Sequence, residues 1–176
     1  MRVIAGRFRS RRLKTLRGAG TRPTPDRLRE ALFSILAPQI ENAVFIDAYA
    51  GTGAVGIEAL SRGAARAIFI ERSRPALNLI RENLAALGLL PSADIVCGKA
   101  SNLLPRYHAD IVFLDPPYEL EREYDACLEA LALHPPALVI AQHASRFELS
   151  EGAGVLKRKR VVRHGDNSLS FYEPEA

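Results

Sequence analysis

From residue 44 onward, short apolar runs alternate with stretches in which apolar residues return every third or fourth position. Residues 44–46, 67–70, 94–97, 110–114 and 137–141 are rich in β-branched, aromatic or leucine side chains and bounded by turn residues, the pattern of strands buried on both faces. Between them, residues 54–61, 75–87, 100–104 and 121–133 carry helical spacing. Leu77, Ile80, Leu84 and Leu87 share one face, and Gly88 stops that helix. Strands separated by such helices predict βαβ units and a mainly parallel sheet covered on both sides. The end of the chain changes character: residues 155–163 and 168–172 flank His164-Gly165-Asp166-Asn167, a hairpin signal that adds antiparallel strands and brings the sheet to seven. Ahead of the alternation, residues 1–5 and 13–16 read as the two arms of a small hairpin. A helix then starts with Thr24 as its N-cap and Pro25 in its first position, and ends at Pro38. Arg22, Arg27 and Arg29 are expected to face away from its apolar stripe. Residues 1–24 therefore form an arm and residues 25–176 one α/β domain.

Composition adds few limits. Over 176 residues the apolar fraction is 48% and the charged fraction 25%, ordinary for a globular domain long enough to bury a core. No run approaches the roughly 18 apolar residues of a membrane span. Cys97 and Cys127 lack metal-ligand spacing and read as reduced core thiols of a cytoplasmic protein; no metal site is expected. Charge changes the picture more. Residues 1–30 hold ten lysines and arginines against Asp26 and Glu30, a local charge of +8, while the remainder carries −4 within a total of +4. A basic arm on a near-neutral body points to a polyanionic partner, with Arg7, Arg9, Arg11, Arg12 and Arg22 on phosphates and Phe8 available to stack on a base. A solvated charged face and an organelle transit segment are the bland alternatives, the second opposed by Gly6, Gly18, Gly20 and Pro23.

The chemistry concentrates at Asp115-Pro116-Pro117-Tyr118, which follows the apolar residues 111–114 at the carboxyl end of a strand, where open α/β sheets bind ligands. A carboxylate, a carbonyl fixed in extended geometry by the next proline, and an aromatic face together suit methyl transfer to the exocyclic amino group of a nucleobase. Two acceptors, Asp115 and the Pro116 carbonyl, take the amino hydrogens and aim the lone pair, while Tyr118 stacks on the base. An Asp-Pro turn with no such role is the competing reading.

A donor site is read at Asp47-Ala48-Tyr49-Ala50-Gly51-Thr52-Gly53. Gly51 to Gly56 formally matches a dinucleotide fingerprint, so an NAD-dependent oxidoreductase is a rival. Asp47 argues against it: a carboxylate there repels a pyrophosphate at the helix N-terminus and welcomes a cation such as the sulfonium of S-adenosyl-L-methionine. Gly51 and Gly53 let the backbone approach the ligand, and Glu71, at the end of the next strand, is placed for ribose hydroxyls.

With these motifs in this order, the chain resembles the class I S-adenosylmethionine-dependent methyltransferases, and more narrowly the RsmD family of bacterial small-subunit (16S) ribosomal RNA guanine-N2 methyltransferases. The resemblance rests on Val3-Ile4-Ala5-Gly6, on Arg22-Pro23-Thr24 leading into Arg29-Glu30-Ala31-Leu32-Phe33, on residues 50–63, on Asp115 to Tyr118 and on Gly165-Asp166. It implies a Rossmann-like fold, S-adenosyl-L-methionine held by Asp47, Gly51, Gly53 and Glu71, and a guanine amino group oriented by Asp115 and Pro116 beneath Tyr118. It also implies ribosomal RNA, within the small subunit or an assembly intermediate, as partner, with no oligomer required. Lys99, Gln142 and His164 depart from the pattern of relatives. Lys99 replaces an acid expected at the adenine, leaving the Ala100 backbone for that contact; Gln142 and His164 read as drift. A DNA adenine- or cytosine-amino methyltransferase shares the Asp-Pro-Pro-Tyr but normally carries a separate recognition region. A non-catalytic RNA-binding module is the remaining alternative.

Overall fold

The computed structural model describes residues 1–18, 24–117 and 119–176. Among these, eight strands form one sheet: β1 Val44–Asp47, β2 Arg66–Glu71, β3 Ala93–Cys97, β4 Ile111–Leu114, β5 Leu138–Ala144, β6 Gly152–Ala153, β7 Leu156–His164 and β8 Asn167–Pro174. Their order is β3-β2-β1-β4-β5-β8-β7-β6, with the first five parallel and the last three antiparallel. The eighth strand, beyond the seven expected, is the two-residue β6, which pairs with Leu156 and Lys157 at the sheet edge. The chain winds outward from β1 through β2 to β3, then returns to lay β4 on the other side of β1. That reversal opens a crevice above the carboxyl ends of β1 and β4.

Helices α1 (Asp26–Ile40), α2 (Ala54–Ser61) and α3 (Arg74–Ala86) cover one face; α4 (Ala100–Leu103) and α5 (Arg122–Ala132) cover the other. Side-chain alternation divides the strands between two core layers. Phe45, Phe69, Phe113 and Ile140 pack with the first helix set, and Ile46, Ile68, Val112 and Val139 with the second. Gly56 lets α2 lie close to the sheet, since a Cβ there would stand 2.3 Å from the Phe69 ring.

Several local expectations are corrected. The helix after the arm begins at Asp26 behind Pro25, and Thr24 does not cap it; its hydroxyl is used elsewhere. Pro38 does not end α1, because two further residues bring Ile40 under the first core layer, where it is 3% exposed. Arg29 does not face solvent. It lies on the buried stripe beside Leu28, Leu32 and Phe33, fully covered, and donates to the Arg2 carbonyl at 2.6 Å and to Asp26 at 3.1 Å. Cys97 is exposed rather than core, and Cys127 is buried; both are free.

The amino-terminal segment is a looser hairpin than expected. Its two arms meet in a single antiparallel bridge between Arg2 and Arg12, extended by backbone bonds between Val3 and Arg11, Ser10 and Val3, and Leu13 and Met1. The amides of Ile4 and Ala5 donate instead to the buried Glu58 carboxylate on α2, at 2.9 and 3.0 Å. Val3 and Leu13 join the first core layer, so the segment is fastened along α2 and α3.

Candidate active site

Four polar residues stand at or near the carboxyl ends of four neighbouring strands on one face of the sheet. Each stands two positions past a residue of the first core layer: Asp47 after Phe45, Glu71 after Phe69, Asp115 after Phe113 and Gln142 after Ile140. Period-two alternation turns all four the same way. They line a single crevice of about 820 Å³, shared with Gly51, Ala100 and Pro116.

Asp47 is 1% exposed, and its Oδ2 accepts the Gly56 amide at 3.0 Å in the first turn of α2. Burial, opposed by that bond and reinforced by the nearby Glu71 charge, pushes its carboxyl up to about 7. Asp115 is likewise raised to about 7, by burial first and by the charge of Asp47 second, against a hydrogen bond from the Thr24 hydroxyl that favours the charged form. Two neighbouring carboxylates in one crevice resist ionising together, which is the environment a bound cation relieves.

Glu71 is more heavily committed than expected. Its Oε2 accepts the Gly51 amide at 2.8 Å, and its Oε1 accepts the Arg72 and Ser73 amides at 2.8 and 3.0 Å. That leaves one lone-pair site on Oε2. Gly51 and Gly53 have φ of 56° and 83°, a left-handed turn that favours glycine. A Cβ at Gly51 would meet nothing within 4 Å, so the backbone there is bare toward the crevice. Gly53 is not a lining residue; it closes the turn and starts α2.

Ala100 begins α4 and is buried at the crevice wall. Beside it Lys99 Nζ pairs with Glu123 Oε1 at 3.3 Å, and Glu123 Oε2 accepts the Tyr49 hydroxyl at 2.9 Å. The acid that position 99 lacks is therefore supplied to the same wall by α5. The helical spacing of 121–133 marks an acidic face there but not its direction. Sequence reasoning also misses Thr24 as a partner of Asp115, because a residue at a helix start reads as a cap. Gln142, which reads as drift in the sequence, stands in the crevice. Tyr118 and Arg22 lie outside the described residues.

The arginines are not brought to the crevice. Arg7, Arg9, Arg11 and Arg12 are exposed, but the Gly6–Arg7 turn sits on Ser61, the last residue of α2, whereas the crevice opens at the helix's first turn. Eight residues of helix separate the two by about 12 Å. Phe8 is half-buried against the core with the Arg7 guanidinium over its ring at 5.1 Å, so it does not stand free for a base. Met1, Thr15 and Leu16 from the same segment do line the crevice.

The family described as Conserved hypothetical protein 95 matches residues 1–173. The chain belongs to that family. Ribosomal RNA small subunit methyltransferase D of Haemophilus influenzae is 35% identical over 150 residues, covering 81% of this chain and 78% of its own. The Escherichia coli protein of the same name is 43% identical over 120 residues, covering 67% and 60%. Among solved structures, yhhF of Escherichia coli superposes with a TM-score of 0.84 at 32% identity, covering 100% of this chain and 98% of its own. A hypothetical protein of Thermus thermophilus gives 0.79 at 30% identity, covering 98% and 99%. The RsmD resemblance and the Rossmann-like methyltransferase fold are borne out.

Proposed function

We propose that this protein binds S-adenosyl-L-methionine across the carboxyl ends of β1 and β2 and methylates the N2 amino group of a guanine in small-subunit (16S) ribosomal RNA. It is a ribosomal RNA methyltransferase, in keeping with the family and with its relatives in Haemophilus influenzae and Escherichia coli. The observation that carries the reading is the convergence of Asp47, Glu71 and Asp115 on one crevice from three adjacent strands.

The residues present fit the donor. The bare backbone at Gly51 leaves room for close approach, and the buried Asp47 and the half-buried Asp115, both raised to about 7, suit a cation. Asp47 and Gly51 would hold the methionine end, with Gly53 shaping the turn that presents Gly51, the remaining Glu71 lone pair would hold a ribose hydroxyl, and Ala100 the adenine. When bound, S-adenosyl-L-methionine supplies an electrophilic methyl group on a positively charged sulfur.

The chain's own residues then orient the nucleophile. An amino nitrogen conjugated to a purine ring is a poor nucleophile until its hydrogens are held and its lone pair is directed. Asp115 takes one hydrogen and the Pro116 carbonyl the other, holding the nitrogen in near-attack geometry. Thr24 fixes the Asp115 carboxylate. The amino group gives up one proton after transfer, and Asp115, with its raised pKa, receives it before solvent does. Tyr118 is assigned the stacking face, and Arg7, Arg9, Arg11, Arg12 and Arg22 the RNA backbone. The substrate is RNA within the small subunit or an assembly intermediate, met in the cytoplasm; among the described residues no helix is long and apolar enough to cross a membrane.

Transfer of tritium from labelled S-adenosyl-L-methionine into small subunits, naked ribosomal RNA and duplex DNA tests this. The expected result is label in RNA, recovered as N2-methylguanosine, and reduced by about 100-fold or more in Asp115→Asn. Label recovered as a methylated adenine or cytosine in DNA would overturn it.

A further inference from the structure

Gln142 lies within β5, two residues before the strand ends at Ala144 and one residue past the last β4–β5 pair, Leu114 with Ala141. That register sets it level with Asp115 on neighbouring strands about 4.8 Å apart. Phe113 and Ile140 belong to the same core layer, so the two side chains point to the same face. Gln142 is 5% exposed and lines the crevice. Its backbone carbonyl accepts the Tyr124 hydroxyl, which fixes the strand at that point. Its side-chain oxygen has no hydrogen-bond partner among the described residues. Buried polar atoms are nearly always satisfied, and this one, on a residue that lines the crevice, is an acceptor without a donor.

The bases differ in what they present beside a reacting amino group. In guanine two ring nitrogens flank the carbon that bears the N2 amino group, and the one on the Watson–Crick edge, N1, carries a hydrogen. In adenine and cytosine the corresponding ring nitrogen is a bare acceptor. A carbonyl oxygen beside Asp115 therefore completes a guanine and meets a lone pair in either of the others.

We propose that Gln142 is a specificity-determining residue whose carboxamide oxygen accepts the N1–H of the target guanine while Asp115 holds its N2 amino group. This rests on the methyl-transfer reading of the crevice and adds to it the selection of the base. The carboxamide N–H group is left to face the guanine O6, giving the donor and acceptor order of a guanine edge. A glutamine in this place, rather than a second acid, also spares Asp115 an adjacent like charge.

The test uses small subunits reconstituted with ribosomal RNA that carries either guanine or 2-aminopurine at the methylated position. 2-Aminopurine keeps the amino group but has a bare N1 and no O6. Single-turnover transfer, and equilibrium binding to the protein loaded with S-adenosylhomocysteine, are measured for each. The wild-type protein should favour guanine by about 100-fold or more, as sites built around a substrate N–H do. Gln142→Leu should lower that ratio at least about tenfold, chiefly by loss on guanine, and Gln142→Glu, which keeps the acceptor for N1–H but loses the donor to O6, should lower it less than Gln142→Leu does. A wild-type ratio near one overturns the inference whatever the variants do, as does an unchanged ratio in Gln142→Leu. A preference for 2-aminopurine would mean that the carboxamide presents its N–H instead, and overturns it too. Absence of transfer to any guanine is a different result, and removes the proposed reaction itself.

Discussion

At the scale of single residues, the crevice is set by two acids that ionise less readily than free carboxyls. Asp47 and Asp115 move from 3.8 in the unperturbed group to about 7 when folded. A carboxyl whose folded pKa is raised binds more protons in the native than in the unfolded state, so its contribution to stability is lost as pH rises from about 4 through 7. Asp115→Asn removes that liability. Its melting temperature relative to wild type should be higher at pH 8 than at pH 4; the same difference at both would refute the raised pKa. The same sign governs the donor. The positively charged sulfonium favours ionised acids, so the affinity of S-adenosyl-L-methionine relative to neutral-sulfur S-adenosylhomocysteine should increase between pH 6 and pH 8, measured by calorimetry. A flat ratio would place the sulfur away from both carboxylates.

At the scale of elements, the glycine-rich turn is held from two sides. Asn83 on α3 is 3% exposed; its Oδ1 accepts the Lys14 amide at 2.8 Å, and its Nδ2 donates to the Lys14 and Thr52 carbonyls, both at 3.1 Å. One carboxamide thus ties the amino-terminal segment to the donor turn. Asn83→Ala strands those buried groups and should cost about 1–3 kcal/mol in urea unfolding, with weaker S-adenosylhomocysteine binding. The contact of α2 with the sheet is as exacting. Gly56→Ala forces a methyl group into the Phe69 ring and should destabilise by about 1–3 kcal/mol. A Gly56→Ala protein as stable as wild type would show that α2 can lift without loss.

At the scale of the whole molecule, the crevice and the basic surface are separated. Residues 1–30 carry +8, yet the turn bearing Arg7 and Arg9 sits at the far end of α2 from the acids. In the proposed reaction, arginines so placed would position RNA without touching the reacting base. Arg9→Glu combined with Arg11→Glu should raise KM and flatten the salt dependence of RNA binding, leaving kcat at saturation near wild type. A fall in kcat with unchanged KM would put these arginines in the reaction itself.

The sequence by itself determined the alternation of strands and helices, the carboxyl-end positions of Asp47, Glu71 and Asp115, and the turn at Gly51 and Gly53. All of these follow from short-range periodicity, and each acid stands two residues past a buried phenylalanine. Tertiary structure alone decided which polar groups meet. Arg29 looked solvent-facing and is buried because the amino-terminal segment folds over it. Thr24 looked like a cap and serves Asp115; Gln142 looked incidental and shares the crevice with that acid; Glu123 reaches from a separate helix to the wall where Lys99 stands. Such pairings join residues far apart in the chain, and no local pattern encodes a distance across a sheet whose strand order is not the order of the sequence.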